Sequence, residues 1–128
     1  HLQQKKWPYY DQLIKLIKQN HPNLKILIAP GPGEIEKAKK LDAVSILSED
    51  KAISISELAG LIKRSKFVIA NDTGPAHMAA HLNVKGLSLF GSHTTAYKVS
   101  IERENFKAIQ VSDLKNLSAE KVFERLVL

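Results

Sequence analysis

The sequence predicts an α/β protein: a parallel sheet with helices on both faces. Three observations carry that prediction. Short apolar runs alternate with helical patterns from Lys25 to the C-terminus, and such alternation reads as βαβ units with parallel strands. Phe67-Val68-Ile69-Ala70 is short, apolar and partly β-branched, as a buried strand is. The chain has 128 residues, 44% of them hydrophobic, which gives one domain an ordinary core.

The elements follow in order. His1 to Lys6 is polar and has no regular period. Lys5-Lys6-Trp7-Pro8 leads into a helix running through Tyr9 to Lys18, and Pro8 suits a helix start. Tyr10, Leu13, Ile14, Leu16 and Ile17 recur on one face, and Asn20-His21-Pro22-Asn23 ends the helix. Lys25 to Ala29 is a strand, and Pro30-Gly31-Pro32-Gly33 is the turn at its carboxyl end. The helix over Glu34 to Leu41 is acidic first and basic last, in agreement with its dipole. Val44 to Leu47 is a short strand and Ser48 to Lys51 a polar loop. The stretch from Ile53 to Ile62 is a serine-capped helix with Leu58, Leu61 and Ile62 on one face. The last strands are Leu87 to Phe90, ending at Gly91-Ser92-His93-Thr94-Thr95, and Phe106 to Val111. A capped helix over Ser118 to Leu126 closes the chain, preceded by a loop at 113–117.

Asn71-Asp72-Thr73-Gly74-Pro75-Ala76-His77 lies between the strand at 67–70 and a small-residue helix through Ala79 and Ala80. Asp72 or Thr73 suits the N-cap. Gly74 lets a ligand approach the backbone, and Pro75 suits the first turn. Ala76, Ala79 and Ala80 let the helix lie close on a sheet. A helix start of this kind presents amides and a positive dipole end to a phosphate or pyrophosphate. His77, one turn in, adds a donor. A D-T-G triplet alone is equally a plain helix cap with a packed histidine.

Zero cysteines exclude disulfides and thiolate metal sites. With no apolar run near 18 residues, no transmembrane helix is expected, and no signal peptide is expected at the start. The net charge of +6, from 19 basic and 13 acidic residues, favours anionic partners. The basic residues are spread out and the aromatics do not interleave with them, so no nucleic-acid partner is expected. The Gly-rich turn at 30–33 lacks both G-x-G-x-x-G and G-K-[ST]. His77 and His81 stand at i, i+4, but no third ligand is evident, so no metal is expected.

The seven-residue string resembles the signature of glycosyltransferase family 9, the ADP-heptose:lipopolysaccharide heptosyltransferases, in which D-[ST]-G-x-x-H precedes an alanine-rich helix. Gly86 to Gly91 resembles that family's strand ending in L-F-G. Ser92 and Lys85 stand where the family usually has proline. Lys5 to Pro8 resembles its K-x-W-P element, and the turn before Glu34 its G-G-x-x-E element. The resemblance implies a Rossmann-like doubly wound parallel sheet, the C-terminal half of a glycosyltransferase B fold. It implies that residues 1–128 are the donor-binding domain, cut near its N-terminus, with the acceptor domain and general base elsewhere. Lys5 would reach the nucleotide phosphates, Lys6 being the alternate. Glu34 would accept from the ribose, Glu36 being the alternate. Asp72, Thr73, Gly74 and His77 would hold the diphosphate. The implied partners are an ADP-heptose donor and a lipopolysaccharide core acceptor, with no cofactor or metal. The implied location is cytoplasmic, with peripheral contact at the inner membrane. A non-catalytic nucleotide-binding module of the same fold, or a sugar-nucleotide epimerase, remains open.

Overall fold

A computed structural model describes residues 6–71, 73–92 and 101–128. Lys5, Asp72, His93, Thr94 and Thr95 lie outside the described residues. Helix α1 spans Tyr10–Asn20, strand β1 Leu27–Ile28, helix α2 Ile35–Lys39 and strand β2 Val44–Ser45. Strands β3, Leu47–Ser48, and β4, Lys51–Ala52, precede helix α3, Ile55–Lys63. Strand β5 is Val68–Asn71, helix α4 Gly74–His81, strand β6 Gly86–Phe90 and strand β7 Phe106–Gln110. A 3₁₀ turn at Leu114–Asn116 leads to helix α5, Ala119–Glu124.

Strands β5, β6 and β7 form a parallel ladder with β6 in the centre. Strands β1 and β2 form a second parallel pair. All five β6 residues are buried, as expected of a parallel strand covered on both faces. Leu87 and Leu89 pack on one side with Leu13 and Ile17 of α1 and with Ala119 and Val122 of α5. Phe90 packs on the other with Ile62 of α3, Ala76, Ala79 and Ala80 of α4, and Phe106 and Ala108 of β7. The sheet is therefore covered by helices on both faces, as the alternating pattern predicts. Fully burying a leucine contributes about 1.5–3 kcal/mol. An exposed ion pair such as Lys18–Asp42, at 2.9 Å, contributes under about 1 kcal/mol, so the two cores dominate.

Several boundaries differ from the sequence expectation. The strand expected over Val44 to Leu47 is split, and the polar loop at 48–51 is the tip of an antiparallel hairpin, β3–β4. Glu49 and Asp50 have φ of 50° and 65°, the paired left-handed conformation of a type I′ turn. Helix α1 begins at Tyr10, with Tyr9 at its N-cap, so Pro8 stands just ahead of the helix. Helix α2 is shorter than expected, with Glu34 at its N-cap and no side-chain cap bond. The loop at 113–117 folds into the 3₁₀ turn, capped by Asp113, whose Oδ1 accepts from Lys115 N at 3.0 Å.

Two caps match the expectation. Ser54 Oγ accepts from Glu57 N, and Glu57 Oε1 accepts from Ser54 N, a capping box at the start of α3. Those bonds hold the Glu57 carboxyl below its usual range. Ser118 caps α5 with its side chain alone, its Oγ accepting from Lys121 N at 3.2 Å. Helix α4 ends at Asn83, whose φ of 59° lets Asn83 N and Val84 N donate back to Ala80 and Ala79 carbonyls at 3.1 Å. This Schellman closure turns the chain directly into β6.

Gly86 starts β6 where no side chain fits. A Cβ there would lie 2.5 Å from the Val68 carbonyl oxygen and 2.5 Å from the Phe106 ring. The carbonyl belongs to the neighbouring strand and cannot yield. Gly86→Ala is expected to lower unfolding free energy by about 1–3 kcal/mol, read from urea denaturation; an unchanged midpoint would contradict this packing.

Candidate functional site

The carboxyl end of a parallel sheet is where open α/β folds place ligands. Strand β5 ends there at Asn71, and α4 starts three residues on. Thr73 occupies the N-cap position, but its side chain makes no cap bond. Its hydroxyl donates instead to the Asn71 carbonyl oxygen at 3.2 Å. Of the two expected cap residues, Thr73 therefore makes no side-chain cap bond, and Asp72 lies outside the described residues. The Thr73 carbonyl accepts from Ala76 N at 3.1 Å and His77 N at 3.3 Å, and Pro75 has no N–H to offer. The Gly74 N–H, at the first helical position, has no acceptor within the helix.

Thr73 and Gly74 are exposed and His77 is half-buried. A Cβ built on Gly74 would meet nothing within 4 Å, so the space over this helix start is open. Ala76 and Ala79 are fully buried and Ala80 nearly so. They bring the helix close to the sheet, as expected, and direct its first turn at the sheet's carboxyl edge.

The element at 6–10 is anchored to the far end of the chain. The Trp7 indole is buried, and its Nε1 donates to the Leu117 carbonyl at 2.8 Å. Its ring stands edge-on to Tyr10, with centroids 4.9 Å apart. The Tyr10 hydroxyl donates to Asn71 Oδ1 at 2.6 Å. Burial, reinforced by the negative charge of Glu34, holds the Tyr10 phenol well above its usual range. The Glu34 charge therefore acts on the same phenol.

The structure thus brings together α1's start and the residue that leads into the turn after β5. Lys5 and Asp72 belong to this neighbourhood by sequence but lie outside the described residues. Lys6, the alternate lysine, is half-buried. Glu36, the alternate carboxylate, lines an open depression with Pro32, Gly33, Ile35, Lys39 and Asp50. It lies 3.9 Å from Lys39 Nζ. No residue of the turn at 73–77 lines that depression. Ser92 is exposed at the end of β6.

Sequence reasoning missed Tyr10 as more than a core residue and Asn71 as more than part of a string. The available signal was Asn71's register: Phe67 and Ile69 face the α1 side, so an asparagine two residues on demands a polar partner there. Its Nδ2 is buried with no hydrogen-bond partner, a state that costs about 1–3 kcal/mol. Among the described residues, no three His, Cys, Asp or Glu side chains come together where a metal ion would sit. Among them, too, no helix is long and apolar enough to cross a membrane.

Fold and site together define a Rossmann-like α/β domain with an open helix start at the carboxyl edge of its sheet. The sequence model of glycosyltransferase family 9 (heptosyltransferase) matches residues 1–126, and the chain belongs to that family. It is 31% identical over 114 residues to lipopolysaccharide heptosyltransferase 1 of Campylobacter coli, covering 82% of this chain and 33% of that relative. E. coli heptosyltransferase WaaC solved with ADP superposes with a TM-score of 0.82 at 25% identity, covering 96% of this chain and 39% of WaaC. WaaC solved with ADP-2-deoxy-2-fluoro heptose gives a TM-score of 0.81 at 25% identity, covering 96% of this chain and 38% of WaaC. The chain thus spans between a third and two fifths of these relatives.

Trp7→Phe keeps an aromatic ring but strands the Leu117 carbonyl. It is expected to lower unfolding free energy by about 1–3 kcal/mol, measured by chemical denaturation; a neutral effect would mean the indole bond is not formed.

Proposed function

We propose that residues 1–128 are the donor-nucleotide-binding domain of an enzyme that transfers heptose from ADP-heptose to the lipopolysaccharide inner core. The observation that carries this reading is the open helix start at Thr73-Gly74, in a chain whose solved relative was determined with an ADP-heptose analogue. On this reading the chain is the C-terminal half of a glycosyltransferase B fold. The acceptor site and the general base then lie in the rest of the protein.

The reaction is glycosyl transfer. An acceptor hydroxyl attacks the anomeric carbon, the bond to the diphosphate breaks, and ADP leaves with the bonding electrons. Negative charge develops on the pyrophosphate. Donors fixed there in advance lower the barrier to the extent that they bind the transition state more tightly than the bound sugar nucleotide. The Gly74 amide, the α4 dipole, His77 and Lys5 supply positive potential at this place. Asp72 lies within the same turn. Glu34, an exposed carboxylate beside Tyr10, is the acceptor for ribose hydroxyls. These residues neutralise the leaving group without a divalent cation, so we propose a metal-independent enzyme. It works in the cytoplasm, with peripheral contact at the inner membrane face where its lipid acceptor is reached.

Isothermal titration with ADP, ADP-heptose, UDP and UDP-GlcNAc tests the assignment. The adenine nucleotides are expected to bind more tightly; preference for the uridine pair would overturn it. Asp72→Ala and His77→Ala are each expected to weaken ADP binding by about 1–3 kcal/mol. No heptosyl transfer is expected from this chain alone, and turnover by it would refute the placement of the acceptor site elsewhere.

A further inference from the structure

The hydrogen bond between Tyr10 and Asn71 joins residues 61 positions apart in the sequence. It sits where the proposed nucleotide site needs its two ends held in register. Asn71 is the last residue of β5 and is gripped twice. Its side-chain oxygen accepts from the Tyr10 hydroxyl at 2.6 Å, and its main-chain oxygen accepts from the Thr73 hydroxyl at 3.2 Å. Tyr10 is itself immobilised. Its ring meets the edge of Trp7 at 4.9 Å, and Trp7 is tied to the Leu117 carbonyl.

A continuous chain of contacts therefore runs from the 3₁₀ turn through Trp7, Tyr10 and Asn71 to the first residue of the turn that starts α4. Glu34 acts electrostatically on the same phenol. Tyr10 thus bonds the residue that leads into the turn assigned to the diphosphate. The Tyr10 hydroxyl donates its only hydrogen to Asn71 Oδ1, which turns Nδ2 away from it. That Nδ2 has no partner, so burial alone does not account for an asparagine here; a leucine would fill the position at less cost.

We propose that Tyr10 is a positioning residue of the nucleotide site: by holding Asn71 it sets the place of the turn at 73–77 at the end of β5. The inference rests on the proposed nucleotide reading. Substitution of Tyr10 acts on the ligand only through Asn71, so the two residues are coupled.

A double-mutant cycle on ADP affinity tests this. Tyr10→Phe keeps the ring against Trp7 and removes only the hydroxyl, so the fold is retained. Tyr10→Phe and Asn71→Ala are each expected to weaken ADP binding by about tenfold, and the double variant no further than the weaker single. Thermal melts of each variant, run without ligand, report folding separately from affinity. A second measurement needs no variant: on adding ADP to the wild-type chain, the Asn71 side-chain amide resonances shift together with the Gly74 amide. If the wild-type chain binds ADP but Tyr10→Phe binds it equally well, or the two losses simply add, the positioning role is overturned and the nucleotide reading stands. An Asn71 amide that stays still while Gly74 moves has the same consequence. If the wild-type chain does not bind ADP, the nucleotide reading fails and takes this inference with it.

Discussion

The fold depends on one strand being surrounded. Strand β6 has neighbours on both edges and apolar helices on both faces. Everything else is placed relative to it. Its alternating side chains feed two separate cores, so neither core can be rearranged without moving the strand that serves the other. The absence of a side chain at Gly86 lets β5 and β7 come close at the strand's start. Polar atoms are nearly excluded from this centre. Ser88 is the exception, a fully buried hydroxyl with no partner, and nothing in the structure explains it.

The site inherits its geometry from that arrangement. Strand β5 is registered residue for residue against β6, from Val68 opposite Gly86 to Asn71 opposite Leu89. The turn that follows therefore emerges at a defined height above the sheet. Helix α4 covers one face and α1 the other, and the two meet the turn from opposite sides. At this edge Asn71 is tied by the Tyr10 hydroxyl at its Oδ1, while its Nδ2 stays buried without a partner. The site proposed at this turn is electrostatic, and an electrostatic site works by not having to reorganise.

Much of this was legible in the sequence, and the reasons are physical. The strands at 67–70, 87–90 and 106–111 were visible because buried strands are short apolar runs between turn residues. Ala76, Ala79 and Ala80 announced a helix packed close to a sheet. The resemblance at 71–77 and 5–8 pointed to the family that the comparisons then showed. The β3–β4 hairpin was not legible. Two-residue strands carry no period, and Glu49 and Asp50 adopt left-handed backbone without the glycine or asparagine that usually signals it. Asp72 or Thr73 was read as the helix cap because both residue types favour one, but the Thr73 hydroxyl found a main-chain oxygen two residues back instead. Tyr10 looked like a core residue because its partner is remote along the chain. Helical periodicity reports which face is inward and says nothing about what a buried hydroxyl meets there.

The alanine face of α4 has a further consequence. A helix mounted on leucines or methionines sits on side chains that hop between rotamers, and its height above the sheet varies with them. Alanine has no such freedom to lose or to sample. The helix's own contribution to the mount beneath residues 74–77 is thus free of rotamers, and the side chains it rests on, Phe90, Phe106 and Ile62, are themselves buried.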